Sequence, residues 1–153
     1  MEFKLEPLVV LPVSDVGRAK AFYQALGFRL DADYTHGDDF RIVHLTPPGS
    51  DCSITFGEGI TSDAPGSLKG LYLLVADIEE ARAELIDRGV EVSEVFHDAV
   101  RLLFHGHKAG EAVLHAESGD RTAALRTARA SYGSYATFDD PDGNKWVLQE
   151  LSR

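Results

Sequence analysis

Whatever chemistry this 153-residue chain performs rests on six histidines, one cysteine and a few tyrosines and carboxylates. The densest group is His105-Gly106-His107, with His97 and His115 in range. Two histidines at alternate strand positions share a face and can hold one divalent cation. A metal site, however, needs three or four ligands in fixed geometry, and this stretch supplies no evident frame, so a solvated HGH is the expectation. His97 follows the apolar run Val92–Phe96, which reads as a strand. Its imidazole titrates near neutral pH and can serve as a general base or bind an anionic group, or it can simply bond nearby backbone. Tyr132 and Tyr135 flank Gly133-Ser134, where a phenol can bond or stack on a ligand or anchor neighbouring chain. His97 and Tyr132 are the candidate acid–base pair. Cys52, as a lone cysteine, excludes an internal disulfide and fits a reducing compartment. With no base partner identified for it, it reads as a small buried strand residue.

These groups need a frame, and the frame is a repeat. Val13-Ser14-Asp15-Val16 returns as Val75-Ala76-Asp77-Ile78, a shift of 62 residues. The same shift sets Ala19 on Ala81, Tyr23 on Leu85, Gly27 on Gly89 and Leu30 on Val92. In each copy an apolar strand (Leu8–Val13, Leu71–Val75) runs to an aspartate able to cap a helix, and Asp77-x-x-Glu80 has the form of a capping box. Val16, Ala19 and Tyr23, like Ile78, Ala81 and Leu85, make one apolar helical face, and Gly27 and Gly89 suit the helix stop. Strands follow: Phe28–Leu30, Phe40–Leu45 and Cys52–Gly57 in the first copy; Val90–Val95, Tyr135–Phe138 and Lys145–Leu151 in the second. Asp140-Pro141-Asp142-Gly143-Asn144 is the tight turn that leads into the last of these. Each half is too small to bury much core alone.

The expected layout is an α+β fold of two tandem βαβββ modules, their mixed sheets curving around a cleft with the helices outside. Module one spans about 6–58, a linker about 59–68, and module two about 69–152 with a flap at about 97–131. The acidic stretch Asp31, Asp33, Asp38 and Asp39 with His36 reads as a solvated hairpin turn, and Glu58 and Asp63 as solvated linker residues.

Val13-x-Asp15 followed by Phe22-Tyr23 and Leu26-Gly27-Phe28, then Pro47-Pro48-Gly49, Val75-x-Asp77 and Asp140–Asn144, resembles the vicinal oxygen chelate superfamily of glyoxalase I, bleomycin-resistance proteins and extradiol dioxygenases. The resemblance covers nearly the whole chain. Val95-Phe96-His97-Asp98, Ser131–Ser134 and Trp146–Glu150 are similar to a bacterial branch of glyoxalase/bleomycin-resistance-like proteins. It implies paired βαβββ modules, commonly a homodimer, and in the enzymes one divalent metal held by His and Glu from the first and last strand of each module. That metal acts as a Lewis acid on two substrate oxygens.

Carried onto this sequence, the metal-ligand positions are Leu8, Gly70, Val147 and either Ser53 or Thr55. The first three have no side-chain donor atom, and a hydroxyl is a poor divalent ligand, so no metal cofactor is expected. Strand alternation assigns Leu8, Val10, Ser53, Thr55, Gly70, Tyr72, Leu74, Val147 and Gln149 to the cleft face. With Tyr135 nearby, this is a mostly apolar lining with a few hydroxyls, an amide and aromatic rings, suited to a small organic ligand. Glu150 falls on the opposite face with Trp146 and Leu148, and Trp146 reads as core.

Composition narrows the partners. A formal charge of −10 argues against nucleic acid, and the one basic cluster, Arg121, Arg126 and Arg129, lies in a polar Ala/Thr-rich run. No apolar run approaches the ~20 residues of a membrane span, and the amino terminus lacks a basic n-region, so a cytoplasmic protein is expected. The functional expectation is a glyoxalase/bleomycin-resistance-like protein binding a small organic ligand without the usual metal. Two alternatives stand beside it. One is a lyase, isomerase or dioxygenase using a relocated metal or His97/Tyr132 chemistry; the other is a dimeric interaction protein with a vestigial cleft.

Overall fold

The computed structural model describes residues 1–97 and 134–151. The expected flap beyond His97, with His105, His107, His115 and the basic cluster, and Tyr132 after it, lie outside the described residues. Among the described residues the order is β1 (Leu8–Val10), α1 (Val16–Ala25), β2 (Arg29–His36), β3 (Phe40–Thr46), β4 (Ser53–Glu58), β5 (Leu71–Val75), α2 (Ile78–Asp87), β6 (Tyr135–Asp139) and β7 (Lys145–Glu150). Among the described residues, two helices and two mixed sheets make an α+β fold. No helix among the described residues is long and apolar enough to cross a membrane. The chain divides into two compact units, Met1–Leu68 with Asp139–Lys145, and Lys69–Phe138 with Trp146–Arg153.

In the first unit, Asp15 caps α1: it is extended (φ −136°, ψ 107°) and its carboxylate accepts from Arg18 N at 2.9 Å. Val16, Ala19 and Tyr23 are the buried face, and Gly27 at φ +90° turns the chain out of the helix. The sheet runs β1-β4-β3-β2, with β1 parallel to β4 and the other pairs antiparallel. Val43, Leu45, Ile54 and Phe56 are buried, and the Tyr23 ring lies 5.8 Å from that of Phe56. This face of the sheet therefore packs on α1. The first strand is shorter than the expected Leu8–Val13. Leu11 N still donates to Thr55 O, but Pro12 has no N–H, and its carbonyl turns to Gly66 N and Asn144 Nδ2.

The second strand is longer than expected. Residues 31–36 are not a solvated turn but most of β2, paired along β3, and the turn is confined to residues 37–39. The sequence conceals this because the countercharges come from other elements. Asp33 accepts from Lys20 of α1 at 2.8 Å and from both Nε and Nη2 of Arg41 of β3 at 2.9 and 2.8 Å. Arg41 first, and Lys20 second, hold the Asp33 carboxyl well below the usual carboxylate range, against a smaller opposing effect of desolvation. Because the folded-state pKa is depressed, the stabilisation is complete above the unfolded value of about 3.9 and is lost as pH falls below it. Asp33→Asn is accordingly expected to lower stability by up to about 1 kcal/mol at pH 7, with the difference from the parent shrinking below about pH 4. Urea unfolding of both proteins across that range checks it; a difference constant with pH would contradict it.

Cys52 is exposed rather than buried. The strand starts one residue later, and Cys52 belongs to the turn before it, where Ser50 Oγ accepts from Cys52 N at 3.0 Å and donates to Cys52 O at 2.8 Å.

The second unit repeats the plan. Asp77 caps α2, accepting from Glu80 N at 2.9 Å, and Gly89 at φ +86° ends it. The sheet runs β5-β7-β6 with β5 parallel to β7, as β1 is to β4. Trp146 is buried and stacks on Phe138 with ring centroids 6.1 Å apart. Val90–Val95, expected as a strand, is irregular and ends in a single bridge between Phe96 and Tyr135. Part of the reason is that Thr137 N donates to the Ser93 hydroxyl, which takes a donor that a regular ladder would use.

Candidate functional site

The face of the first sheet turned away from α1 follows from the register. Leu8 pairs with Ser53 and Val10 with Thr55, so two aliphatic and two hydroxyl side chains sit side by side. Val10 is 42% exposed, whereas Thr55 is buried and its Oγ1 donates to Val43 O at 3.0 Å. Thr55 pairs with His44 on β3, which pairs in turn with Ala32 on β2. Sequence alternation, applied only to the first and last strands of each module, does not reach these residues.

Ser53 is not an isolated hydroxyl. Its Oγ lies 2.8 Å from Thr46 Oγ1, and Thr46 Oγ1 donates to Asp31 Oδ2. The other Asp31 oxygen accepts from Arg29 Nε at 2.6 Å. Asp31 reaches this face because the β2–β3 register shifts between Leu30 and Ala32, leaving it as the unpaired residue of a bulge. The hydrogen bond from Thr46, then that from Arg29, holds the Asp31 carboxyl below its ordinary range.

On the second sheet, Tyr72 pairs with Val147 and Leu74 with Gln149. Tyr72 and Leu74 are 50% and 59% exposed, large values for residues of their size on a strand. Val147 and Tyr135 are instead buried together with Phe96, the Tyr135 and Phe96 rings stacking at 5.9 Å. Gln149 is also buried. Glu150 has a structural use: its Oε2 accepts from Ile78 N at 2.9 Å, supplying an acceptor to the first turn of α2. That contact places Glu150 on the α2 side and, by alternation, Val147 and Gln149 on the other.

His97 is exposed, with its Nδ1 3.1 Å from Ser134 Oγ. Tyr132, its candidate partner in acid–base chemistry, lies outside the described residues, as do His105 and His107.

A divalent metal at the positions implied by the resemblance does not fit the side chains there. Leu8 and Val147 offer no donor atom, and Gly70 has no side chain. Ser53 and Thr55 offer only neutral hydroxyl oxygens, which are weak ligands for a divalent ion. Among the described residues no three His, Cys, Asp or Glu side chains gather into a possible metal site.

Residues 7–148 match the glyoxalase/bleomycin resistance protein/dioxygenase superfamily. Among solved structures, TnmS3, an antibiotic binding protein from Streptomyces sp. CB03234, is 29% identical, with 99% of each chain covered and a TM-score of 0.67. A glyoxalase/bleomycin resistance protein from the same organism is 30% identical over 93% of this chain and 96% of that one, with a TM-score of 0.60. A superfamily member from Sphaerobacter thermophilus DSM 20745, 24% identical over 97% of this chain and 98% of its own, matches in fold with a TM-score of 0.67. Among curated proteins none matches.

Proposed function

This chain belongs to the glyoxalase/bleomycin resistance protein/dioxygenase superfamily, and on that premise we propose that it is a binding protein for a small apolar or aromatic organic molecule, working without a divalent metal at the superfamily's ligand positions. The observation that carries the proposal is the side-chain chemistry at those positions: Leu8, Gly70 and Val147 have nothing with which to hold a cation. The surroundings favour an organic ligand. In the first unit Val10 leaves apolar area exposed on β1 beside the hydroxyls of Ser53 and Thr55, and in the second Tyr72 and Leu74 do so on β5. The likeness to an antibiotic binding protein along the full length of both chains supports the same class of function. Binding of this kind sequesters the molecule against the exposed face of the first sheet, with Leu8 and Val10 supplying aliphatic contact beside Ser53.

Calorimetric titration with 2-naphthol, a small aromatic probe, tests the reading. Saturable one-to-one binding is expected, weakened about fivefold by Val10→Ala through the loss of about 1 kcal/mol of apolar contact. No saturable binding, or binding untouched by Val10→Ala, would contradict it.

A further inference from the structure

We propose that Ser53, Thr46 and Asp31 form a one-way hydrogen-bond relay that makes Ser53 an obligate acceptor, so that among the organic molecules of the proposed function the protein selects those presenting an O–H or N–H donor. The inference rests on that binding reading and adds the class of ligand. Its basis is a proton count. An ionised carboxylate can only accept, so the Thr46 hydroxyl proton goes to Asp31 Oδ2. A hydroxyl has one proton, so at the 2.8 Å contact between Thr46 and Ser53 the donor is Ser53. Ser53 has then used its own proton and offers only lone pairs. Asp31 is kept in its ionised form by the same Thr46 bond and by Arg29, as the lowering of its pKa indicates.

Position gives the relay its consequence. Ser53 is half-buried and pairs in register with Leu8, one step along the strand pair from Val10 and Thr55. The Thr55 hydroxyl has spent its proton on Val43 O, so neither hydroxyl on this stretch of β4 has a proton left for a ligand. A phenol, alcohol or amine lying on Leu8 and Val10 meets acceptors; an ether or ketone oxygen in the same place meets lone pairs and loses its hydration without replacement.

Arg29 makes the direction reversible by a single substitution. It donates from Nε to Asp31 Oδ1 at 2.6 Å, so in Asp31→Asn the amide oxygen stays toward Arg29 and the amide nitrogen faces Thr46. Thr46 then accepts, its proton passes to Ser53, and Ser53 gains a proton to donate. Thr46→Val, close in shape, removes the relay altogether and frees the Ser53 hydroxyl to rotate.

The experiment compares 2-naphthol with 2-methoxynaphthalene, which keeps the rings and the oxygen but has no donor, by calorimetry on the parent, Asp31→Asn and Thr46→Val. The parent is expected to prefer the naphthol by roughly tenfold, and the preference should fall to near unity or reverse in Asp31→Asn. In Thr46→Val both compounds should bind with little discrimination. Circular dichroism establishes that each variant is folded, and either variant alone suffices for the comparison. Equal affinity of the parent for the two compounds overturns the relay and leaves the binding reading standing, as does a preference that survives in the folded variants. Failure of both compounds to bind the parent overturns both.

Discussion

Asn144→Ala is expected to destabilise the protein by about 3 kcal/mol, seen as a lower urea midpoint with an unchanged slope. Asn144 is fully buried, and each polar atom of its side chain is engaged. Nδ2 donates to Pro12 O at 3.0 Å and to Asp140 Oδ2 at 2.8 Å, while Oδ1 accepts from Leu68 N at 3.1 Å. Alanine would strand an amide and weaken two acceptors in a place water does not readily reach, and each orphaned group costs about 1–3 kcal/mol. Asp140 bears on the same point. Its Oδ1 accepts from the backbone N of Asp142 and Asn144, and its Oδ2 also accepts from the Tyr23 hydroxyl at 2.8 Å. Asn144 thus closes a network that fixes the Asp140–Asn144 turn against α1, Pro12 and Leu68. Asn144→Asp should be at least as damaging, since it removes the donor and sets a second carboxylate against Asp140. A loss below about 1 kcal/mol for Asn144→Ala would mean the network contributes little net stability.

Gly66→Ala is expected to be comparable or worse, by about 3 kcal/mol or more, for a reason of shape. Gly66 has φ +76°, and a Cβ placed there would lie 1.9 Å from Asp142 O, far inside contact distance, with the backbone of the turn as the obstacle. The useful comparison is Gly49, at φ +74° with nothing within 4 Å of the added carbon. Gly49→Ala should show the backbone preference alone, about 1 kcal/mol, and the excess at Gly66 measures the clash. Gly66 N and Asn144 Nδ2 share the carbonyl of Pro12, so the double variant should fall short of the sum. Equal losses at Gly49 and Gly66 would contradict close packing of the turn on Gly66.

Features whose cause is local were legible in the sequence. Asp15 and Asp77 cap the helices, Gly27 and Gly89 end them, and the repeat implied two units of one plan; the parallel pairing of first with last strand in each, β1 with β4 and β5 with β7, was not itself legible. Alternation placed Glu150 on the helix side but could not show that it bonds Ile78 N, because that contact spans 72 residues. What depended on distant charge or on register was hidden. The acidic run of β2 looked solvated because Lys20 and Arg41, which neutralise Asp33, come from a helix and another strand. Asp31, Thr46 and Ser53 meet only because a one-residue bulge turns Asp31 onto the face of Thr46. Ser53 was identified as a ligand-face residue; the two groups that set its hydrogen-bonding direction were not.

The claim on which the functional reading depends is that ligand binding needs no metal. Elemental analysis of protein purified without added metal, followed by calorimetric titration with 2-naphthol before and after exhaustive dialysis against EDTA, decides it. The expected result is metal well below one equivalent per chain and the same affinity on both sides of the dialysis, because Leu8, Gly70 and Val147 provide no ligand atom to lose. One tightly held divalent ion per chain, with binding abolished by EDTA and restored by the metal, would contradict it.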